Sequence, residues 1–562
     1  MGKIFFADKE TQDITLAYCK QILEAVGGQA TDSKSKVAAQ YFNLRRTGNE
    51  FGVKWPTFAT SPLSAGTRTR HAVGKVAYPS TEKTAARNDF DTYSIFNGLR
   101  VNGHVDANGE FIVDFFEGEE GFSNTENDTW ILHGTHWFIY DFTDGEELAI
   151  TDKPKKGWCP EGAAIRPDGT IRPFVAIAAY AASKGKDGKI ATVAGNSPMY
   201  NVSHNTGITE CKKKGTQYCI TTQQDQSHLN DLFLVAFATR DTQSIMAGHT
   251  SFGEQYTVAV AESNVERVIV TSAQANSIVV GSCVSVGDPT TNSSKDRSNA
   301  YMHSLADRVV VTKIEDLGGG NGAIYVDNKG IKFSTTATTV VSVMPWHTGS
   351  LDNVLGTCGS IGSNTNGKSP YKLFGVECSW GQYEVIGNTV MKITNGVMKP
   401  YICYDCTKLS TSAPTSDYEE VDIVIPNSQA KWQYISELGY DHKHPTVRYV
   451  KGYGATSTTG YADAVYTENL TESLNGVREI LSGGNLWYGG YAGRFYANLN
   501  NWLDGGNWNY AARISVMIIV VCFVVLKTTR KAWAECPKFL KPASSRQQCR
   551  EDPATEVGAG RG

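Results

Sequence analysis

The spacing of apolar residues changes character along the chain. Near the start, Ile14, Tyr18, Ile22 and Val26 recur at helical spacing after a capping Asp8 or Thr11 and stop at Gly27-Gly28. This predicts one helix of about four turns, too short for a stable isolated coiled coil. Packing on copies of itself and packing on its own domain fit it equally. From about residue 40 to about 350 short β-branched or aromatic runs take over, such as Phe111-Ile-Val-Asp-Phe-Phe, Trp137-Phe-Ile-Tyr, Tyr256-Thr-Val-Ala-Val and Val268-Ile-Val-Thr. Turn signals such as Asn102-Gly103 and Asn108-Gly109 separate them. One amphipathic helix interrupts the pattern, where Leu229, Leu232, Phe233, Ala236 and Phe237 share a face. Many strands with very few helices predict an α+β fold that is mainly β. No repeat of solenoid or propeller length is present.

Composition narrows the classes further. Of 562 residues 41% are hydrophobic and 20% charged, so there is apolar mass for a sizeable core and wholesale disorder is excluded. The net charge of −4 gives no footprint for nucleic acid. It conceals an asymmetry: residues 517–562 hold eight Lys/Arg against four Asp/Glu, net +4, leaving 45 against 53, net −8, in residues 1–516. Twelve cysteines in so long a chain are too sparse for a disulfide scaffold. Met1-Gly-Lys-Ile-Phe-Phe-Ala-Asp contains no apolar h-region, so synthesis in a cytoplasm is expected. Ile514 to Leu526 is an apolar run of 13 residues. As a helix it spans about 20 Å, short of a hydrocarbon core of ~30 Å. A membrane span is therefore marginal, and a buried strand continuing into the tail is at least its equal.

Motifs for chemistry are weak. Cys403-Tyr-Asp-Cys406 is a lone CxxC, and His442 and His444 do not complete it at a recognised zinc spacing. His133-Gly-Thr-His136 lies in a predicted β region, where residues three apart face opposite sides of a regular strand, so structural use is favoured. Gly318-Gly-Gly-Asn-Gly322 lacks the Lys-Ser/Thr of a P-loop and reads as a turn. Neither GxSxG nor HExxH occurs. No catalytic residue, metal site or cofactor is expected, and the chain is not expected to be an enzyme.

The informative segment is 481–512. Of its 32 residues eight are aromatic, seven Gly and six Asn, and only Arg494 and Asp504 are charged. Trp and Tyr offer large contact areas with few rotors to freeze, Asn offers adaptable hydrogen bonds, and Gly permits unusual loop backbones. A binding surface and a Gly-rich β core with buried tryptophans fit this composition equally.

Within it, Asn475-Gly-Val-Arg-Glu-Ile-Leu-Ser-Gly-Gly-Asn485, Ala492-Gly-Arg-Phe-Tyr-Ala-Asn-Leu-Asn-Asn501 and Gly506-Asn-Trp-Asn-Tyr-Ala-Ala-Arg-Ile-Ser515 resemble the variable region of the target proteins of phage diversity-generating retroelements. Those proteins end in a C-type-lectin-like domain related to the formylglycine-generating enzyme fold. Phe237-Ala-Thr-Arg-Asp-Thr-Gln-Ser-Ile-Met-Ala-Gly, Gly356-Thr-Cys-Gly-Ser, and Asn366 through Trp380-Gly resemble the same family, and Tyr41-Phe-Asn-Leu-Arg-Arg-Thr-Gly resembles its tail-associated members. The resemblance covers roughly residues 40–516 and is tightest at the C-terminal segment.

The resemblance implies a reverse transcriptase that misreads template adenines, so that adenine-rich codons such as those for Asn scatter into other residues. The implied varied, ligand-binding positions are Asn485, Leu486, Trp487, Tyr488, Tyr491, Asn498, Asn500, Asn501, Asp504, Gly505, Asn507, Asn509 and Tyr510. Gly483, Gly484, Gly493, Ala511 and Ala512 are implied scaffold, with Trp502 and Trp508 as fixed core tryptophans. The implied division is residues 1–87 as N-terminal helix and tail-attachment region, 88–516 as lectin-like domain with insertions, and 517–562 as an apolar-then-basic tail absent from the family pattern. The implied partners are a host cell-surface protein or glycan and other phage tail proteins, in a virion tail, with a homotrimer as first expectation by analogy. A purely structural tail or baseplate component is the alternative. A formylglycine-type oxidase is disfavoured, because no cysteine lies between Cys406 and Cys522 to hold copper.

Overall fold

The computed structural model describes residues 32–516 apart from 167–168 and 290–294. The expected helix over 8–28, and the tail 517–562 with most of the 514–526 run, lie outside the described residues. Helices make up 12% of the fold and strands 33%, so the chain is mainly β with few helices. None of the described helices is long and apolar enough to cross a membrane.

Helix Asp32–Leu44 opens the described chain and buries Val37, Ala38, Tyr41 and Phe42 against strand Phe111–Phe116. Two sheets follow. One has the order Thr67–Arg70, Glu50–Trp55, Glu146–Thr151, Trp137–Asp141, Cys159–Pro160. The other has the order Phe111–Phe116, Leu99–Val105, Thr129–Gly134, Phe174–Ala178. The expected boundary at residue 87/88 is crossed by strand pairing: Glu50–Trp55 aligns along its whole length with Glu146–Thr151. Phe51, Val53 and Trp55 also share a core with Phe233, Phe374 and Ile480, so residues 50–87 are not a separate unit.

The helix expected near 229–237 spans Gln223–Phe237. Thr222 starts it with a reciprocal capping box, its side chain accepting from the Asp225 backbone N–H while the Asp225 carboxylate accepts from the Thr222 N–H. It ends at Ala238 in the left-handed conformation, φ 51°. The expected amphipathic stripe understates its environment, because every residue but Asn230 is buried. Its polar side is covered by protein, and burying one Leu or Phe there stabilises the fold by roughly 1.5–3 kcal/mol.

Residues 255–344 form a six-stranded antiparallel sheet ordered Gln255–Thr257, Val340–Met344, Cys283–Gly287, Ala306–Gly318, Asn321–Asp327, Arg267–Thr271. Alternating valines give it a core of its own, with Val268, Val270, Val284, Val286, Val341 and Val343 packed together. The C-terminal part builds a seven-stranded sheet ordered Val450–Tyr453, Gln433–Leu438, Ala464–Tyr466, Gly493–Asn498, Leu481–Gly483, Tyr383–Val385, Tyr510–Ala511. The last described strand, Ile514–Ser515, pairs antiparallel with Cys219–Ile220, the buried-strand alternative for the start of the apolar run.

Leu232 is fully buried at the centre of the main core. Leu232→Ala is expected to lower unfolding free energy by about 2–5 kcal/mol. Lys451→Ala, which removes an exposed pair with Glu437, is expected to change it by no more than about 0.5 kcal/mol. Urea unfolding followed by tryptophan fluorescence measures both, and equal effects would show that this helix is not the centre of the core.

Candidate functional site

The segment 481–512 enters the seven-stranded sheet as strand Leu481–Gly483 and leaves it as strand Tyr510–Ala511. Between them, strand Gly493–Asn498 separates two loops. The first loop is held from outside. The Phe252 N–H donates to the Leu486 carbonyl at 2.9 Å, and the Gly489 N–H donates to the Thr250 carbonyl at 2.7 Å. Gln243 Nε2 donates to both Gly489 O and Ala492 O, at 2.5 and 2.6 Å. Two glycines permit this path. Gly484 has φ 87°, and a Cβ there would lie 2.5 Å from the Ala492 Cβ; a Cβ at Gly493 would lie 2.1 Å from the Asp463 carboxylate.

The second loop is held in the same way. The Asn201 N–H donates to Asn507 O at 2.9 Å, the Asn205 N–H to Leu503 O at 2.9 Å, and the Glu479 N–H to Asn501 O at 2.8 Å. Both loops thus have a backbone fixed by hydrogen bonds to distant segments.

On this frame the thirteen sequence-predicted positions divide by depth. Trp487, Tyr491, Asp504, Gly505 and Asn507 are exposed, and Tyr488, Asn500 and Asn501 are half-buried. Five positions expected on a displayed surface are instead buried: Asn485, Leu486, Asn498, Asn509 and Tyr510. Leu486 packs with Cys283, Met344 and Trp508. Asn498 Oδ1 accepts from the Asn500 N–H at 3.2 Å and from Asn501 Nδ2 at 3.0 Å, tying the second loop to itself. Trp508 is buried, but Trp502, expected in the core, is 54% exposed. It lies on the Arg478 guanidinium, 3.6 Å from its ring centroid, and covers Gly476. An aromatic ring over a buried cation satisfies Trp502 at the surface without a core slot.

The exposed aromatics rest on others that sequence reasoning missed. Trp432 stacks on Tyr491 at 5.7 Å and meets Tyr488 edge-on at 5.0 Å, and Tyr434 lies 5.5 Å from Tyr491. The row continues through Tyr488 and Tyr383 to Tyr510, whose hydroxyl donates to Asn501 Oδ1 at 2.8 Å. Arg297 sits 5.1 Å from the Trp487 ring and 5.5 Å from the Trp508 ring. Its guanidinium donates to the carbonyls of Gly253, Glu254 and Val343, which fixes it under Trp487. Trp432 and Tyr434 belong to an alternating Trp-Gln-Tyr-Ile stretch, visible as a strand but not as a neighbour of residues 487–491. Arg494, one of the segment's two charged residues, points inward, donating to Asn230 Oδ1 at 2.9 Å and Gln226 Oε1 at 3.1 Å.

The other sequence candidates lie elsewhere. Cys403 and Cys406 are buried, and the Cys406 Sγ is 2.7 Å from the Sγ of Cys219. His444 is engaged by the Tyr404 hydroxyl at 2.8 Å. His133 and His136 do not face opposite sides of one strand. The strand Thr129–Gly134 ends between them, and both rings turn toward His228 of the central helix.

Beneath the second loop, burial and the nearby Asp504 push the Glu479 carboxyl up to about 8. Its Oε2 accepts from the His204 N–H at 2.7 Å, while Oε1 is buried without a partner. A carboxyl raised in the folded state favours folding fully below the ordinary carboxylate range and loses that contribution as pH rises through about 8. Wild type is therefore expected to lose more thermal stability than Glu479→Gln between pH 5 and 9, and parallel Tm profiles would contradict this assignment.

A scan against protein-family models and a search of curated proteins return no match to this chain.

Proposed function

We propose that the chain is a non-enzymatic ligand-binding protein that recognises a host cell surface through residues 487–507. The observation that carries this is the contrast within one segment. Trp487, Tyr491 and Trp502 are solvent-exposed, at 48%, 37% and 54%, while the backbone around them is hydrogen-bonded to four distant stretches of chain. Exposed large aromatics on a fixed frame lose little entropy on binding, which is the economy of a recognition surface. Asn500, Asn501, Asn507 and Asp504 add polar groups beside them.

The resemblance of residues 475–515 to retroelement-diversified proteins supports a further step. On this proposal the fold is of the C-type-lectin-like class, the protein is displayed on a phage tail, and the exposed side chains vary between copies of the gene. The ligand is then a surface protein or glycan of the host, and no calcium-dependent sugar site is invoked, because neither Glu-Pro-Asn nor Gln-Pro-Asp occurs in 481–512.

Two measurements test the proposal. Adjoining DNA is expected to carry a near-copy of the codons for 481–512 close to a reverse-transcriptase gene, with differences confined to template adenines. Differences spread over all four bases would sink the retroelement step. Independently, the double substitution Trp487→Ala with Tyr491→Ala is expected to weaken binding to host cells by at least about tenfold, since aromatic hot spots each contribute about 1 kcal/mol or more. Its Tm and assembly state should match wild type. Lost assembly with unchanged binding by any free chain would instead assign this face to contacts within a tail structure.

A further inference from the structure

The buried cluster beneath the first two sheets has a proton problem. His133, His136, Glu161, His228 and Asp231 are all essentially inaccessible to solvent. His133 Nε2 lies 2.8 Å from the Phe374 carbonyl, which can only accept, so that nitrogen carries a hydrogen. The neutral ring then offers Nδ1 as an acceptor, and His228 Nε2, 2.9 Å away, is its donor. A neutral His228 is left with a lone pair on Nδ1. That lone pair faces Glu161 Oε2 at 2.5 Å, where two electron-rich atoms meet with nothing positive between them.

His136 poses the same problem from the other side. Both its ring nitrogens are buried without a hydrogen-bond partner. Its Nδ1 is 3.3 Å from Glu161 Oε1, and its Nε2 is 3.7 Å from Asp231 Oδ2. With neutral imidazoles the cluster holds two carboxylates and one guanidinium, Arg448, whose Nη1 donates to Asp231 Oδ1 at 2.6 Å. Its net charge is then −1 in a volume closed to water. Burial of uncompensated charge is costly, so positive charge belongs there, supplied by one proton on an imidazole, which brings the sum to zero, or by a divalent ion, which brings it to +1.

We infer that His136, Glu161 and His228 form a buried site for a divalent transition ion of the zinc class. The ligand atoms offered by these three residues all lie within 4.8 Å of one another. The His136 Nδ1 to Glu161 Oε1 separation of 3.3 Å is what two ligands on a tetrahedral ion with legs of about 2.0–2.1 Å require. His228 Nδ1 meets the other carboxylate oxygen, Oε2, at 2.5 Å, and that separation opens by less than about 1 Å for one ion to bind both imidazoles and the carboxylate. Two imidazoles and one carboxylate suit zinc, iron(II) or manganese(II) better than magnesium or calcium.

The outer shell fits the same assignment. A histidine ligand characteristically donates its distal N–H to an acceptor, which fixes its tautomer and raises its basicity. His228 binding through Nδ1 leaves Nε2–H to His133, which in turn donates to Phe374 O. His136 binding through Nδ1 points Nε2–H at Asp231. Asp231 is itself held by the Tyr140 hydroxyl at 2.9 Å and by Arg448. The His228 ring therefore has the second partner that a metal would require, while His136 Nε2 faces the Asp231 carboxylate at 3.7 Å and would close that contact on binding; His133 and Asp231 are positioning residues. The three ligands come from the junction after strand Thr129–Gly134, from the turn after Cys159–Pro160, and from the central helix. An ion there staples three segments of one core, a structural task that suits the closed site.

Elemental analysis of the full chain, purified without an affinity tag from zinc-supplemented cells, tests this. About one equivalent of zinc, iron or manganese per chain is expected to survive dialysis. Cobalt(II) added after chelation should give visible d–d bands of low-coordinate cobalt, and X-ray absorption should show a shell of nitrogen and oxygen without sulfur. His136→Asn is expected to lose the metal. His133→Phe, which leaves all three ligands in place, is expected to retain it with at least tenfold weaker affinity. A chelated wild type that takes up neither zinc nor cobalt, with an unchanged Tm, overturns the inference and assigns a proton to the His228–Glu161 contact. A sulfur shell, or equal metal in wild type and a folded His136→Asn, also overturns it.

Discussion

The fold turns on one constraint: the helix Gln223–Phe237 carries polar side chains into a place where water does not reach. Its apolar side follows the ordinary logic of a core helix, with Leu229, Leu232, Phe233 and Phe237 in the main cluster. Its other side presents Gln226, His228 and Asp231, all buried. Each must find a partner from another part of the chain, because an unpaired buried polar group costs on the order of 1–3 kcal/mol. Gln226 meets Arg494, His228 meets Glu161 and His133, and Asp231 meets Arg448, Tyr140 and His136. Four stretches, around residues 133–140, 161, 448 and 494, are thereby brought to one helix. Apolar burial makes the core compact, while these pairings specify which strands surround the helix and in what register.

This constraint reaches the surface through Arg494. The guanidinium is buried and anchored to two residues of the helix, Gln226 and Asn230, one turn apart. Its backbone is in the strand Gly493–Asn498, whose ends lead into the two exposed loops. The helix therefore sets the position of the strand, and the strand sets the positions of Trp487, Tyr491 and Trp502. The loops add local ties, from Gln243 and Thr250 on one side and from Asn201 and Asn205 on the other. A surface built this way can change its outward side chains with little effect on its backbone, since none of the ties uses an exposed side chain of the loop.

Much of the fold class was legible in period-2 and period-3.6 patterns, and the reasons for the exceptions are physical. The apolar face at 229–237 announced a helix, but its true start at Thr222 is hidden by Gln223-Gln-Asp-Gln226, polar residues that a surface-minded pattern leaves outside. The three glutamines are buried because partners arrive from Asn388, Tyr449 and Arg494, which no local window contains. The His133–His136 spacing implied opposite faces only as long as the strand stays regular, and the strand ends at Gly134. Trp502 and Trp508 look alike in composition, yet one covers Arg478 and the other fills a cluster with Leu486. What separated them was a buried arginine at a distance of 24 positions. Trp432, one residue before strand Gln433–Leu438, and Arg297, in a turn, support the exposed rings, and only the tertiary fold places them there.

The depth of each position limits how such a segment can diversify, if it does so as proposed. A change at Asn498 removes the acceptor for both the Asn500 N–H and the Asn501 amide, and so releases the second loop. A change at Leu486 opens a cavity shared with Cys283, Met344 and Trp508, in the contact between the segment and the valine-rich six-stranded sheet. At Tyr510 a smaller residue removes one ring of the row from Tyr491 to Asn501. Substitution at Asp504 or Gly505 meets none of these costs, and at Trp487, Tyr491 or Asn507 it loses only an outer ring contact or the local acceptor for the Trp508 N–H, because all five face solvent. Selection for a stable chain would therefore filter adenine-driven variation at the buried positions and leave it at the exposed ones. Variation distributed by the template and retained by burial is distinguishable from variation distributed by the template alone, because only the former leaves Asn498 and Asn509 as asparagine while Asn507 scatters.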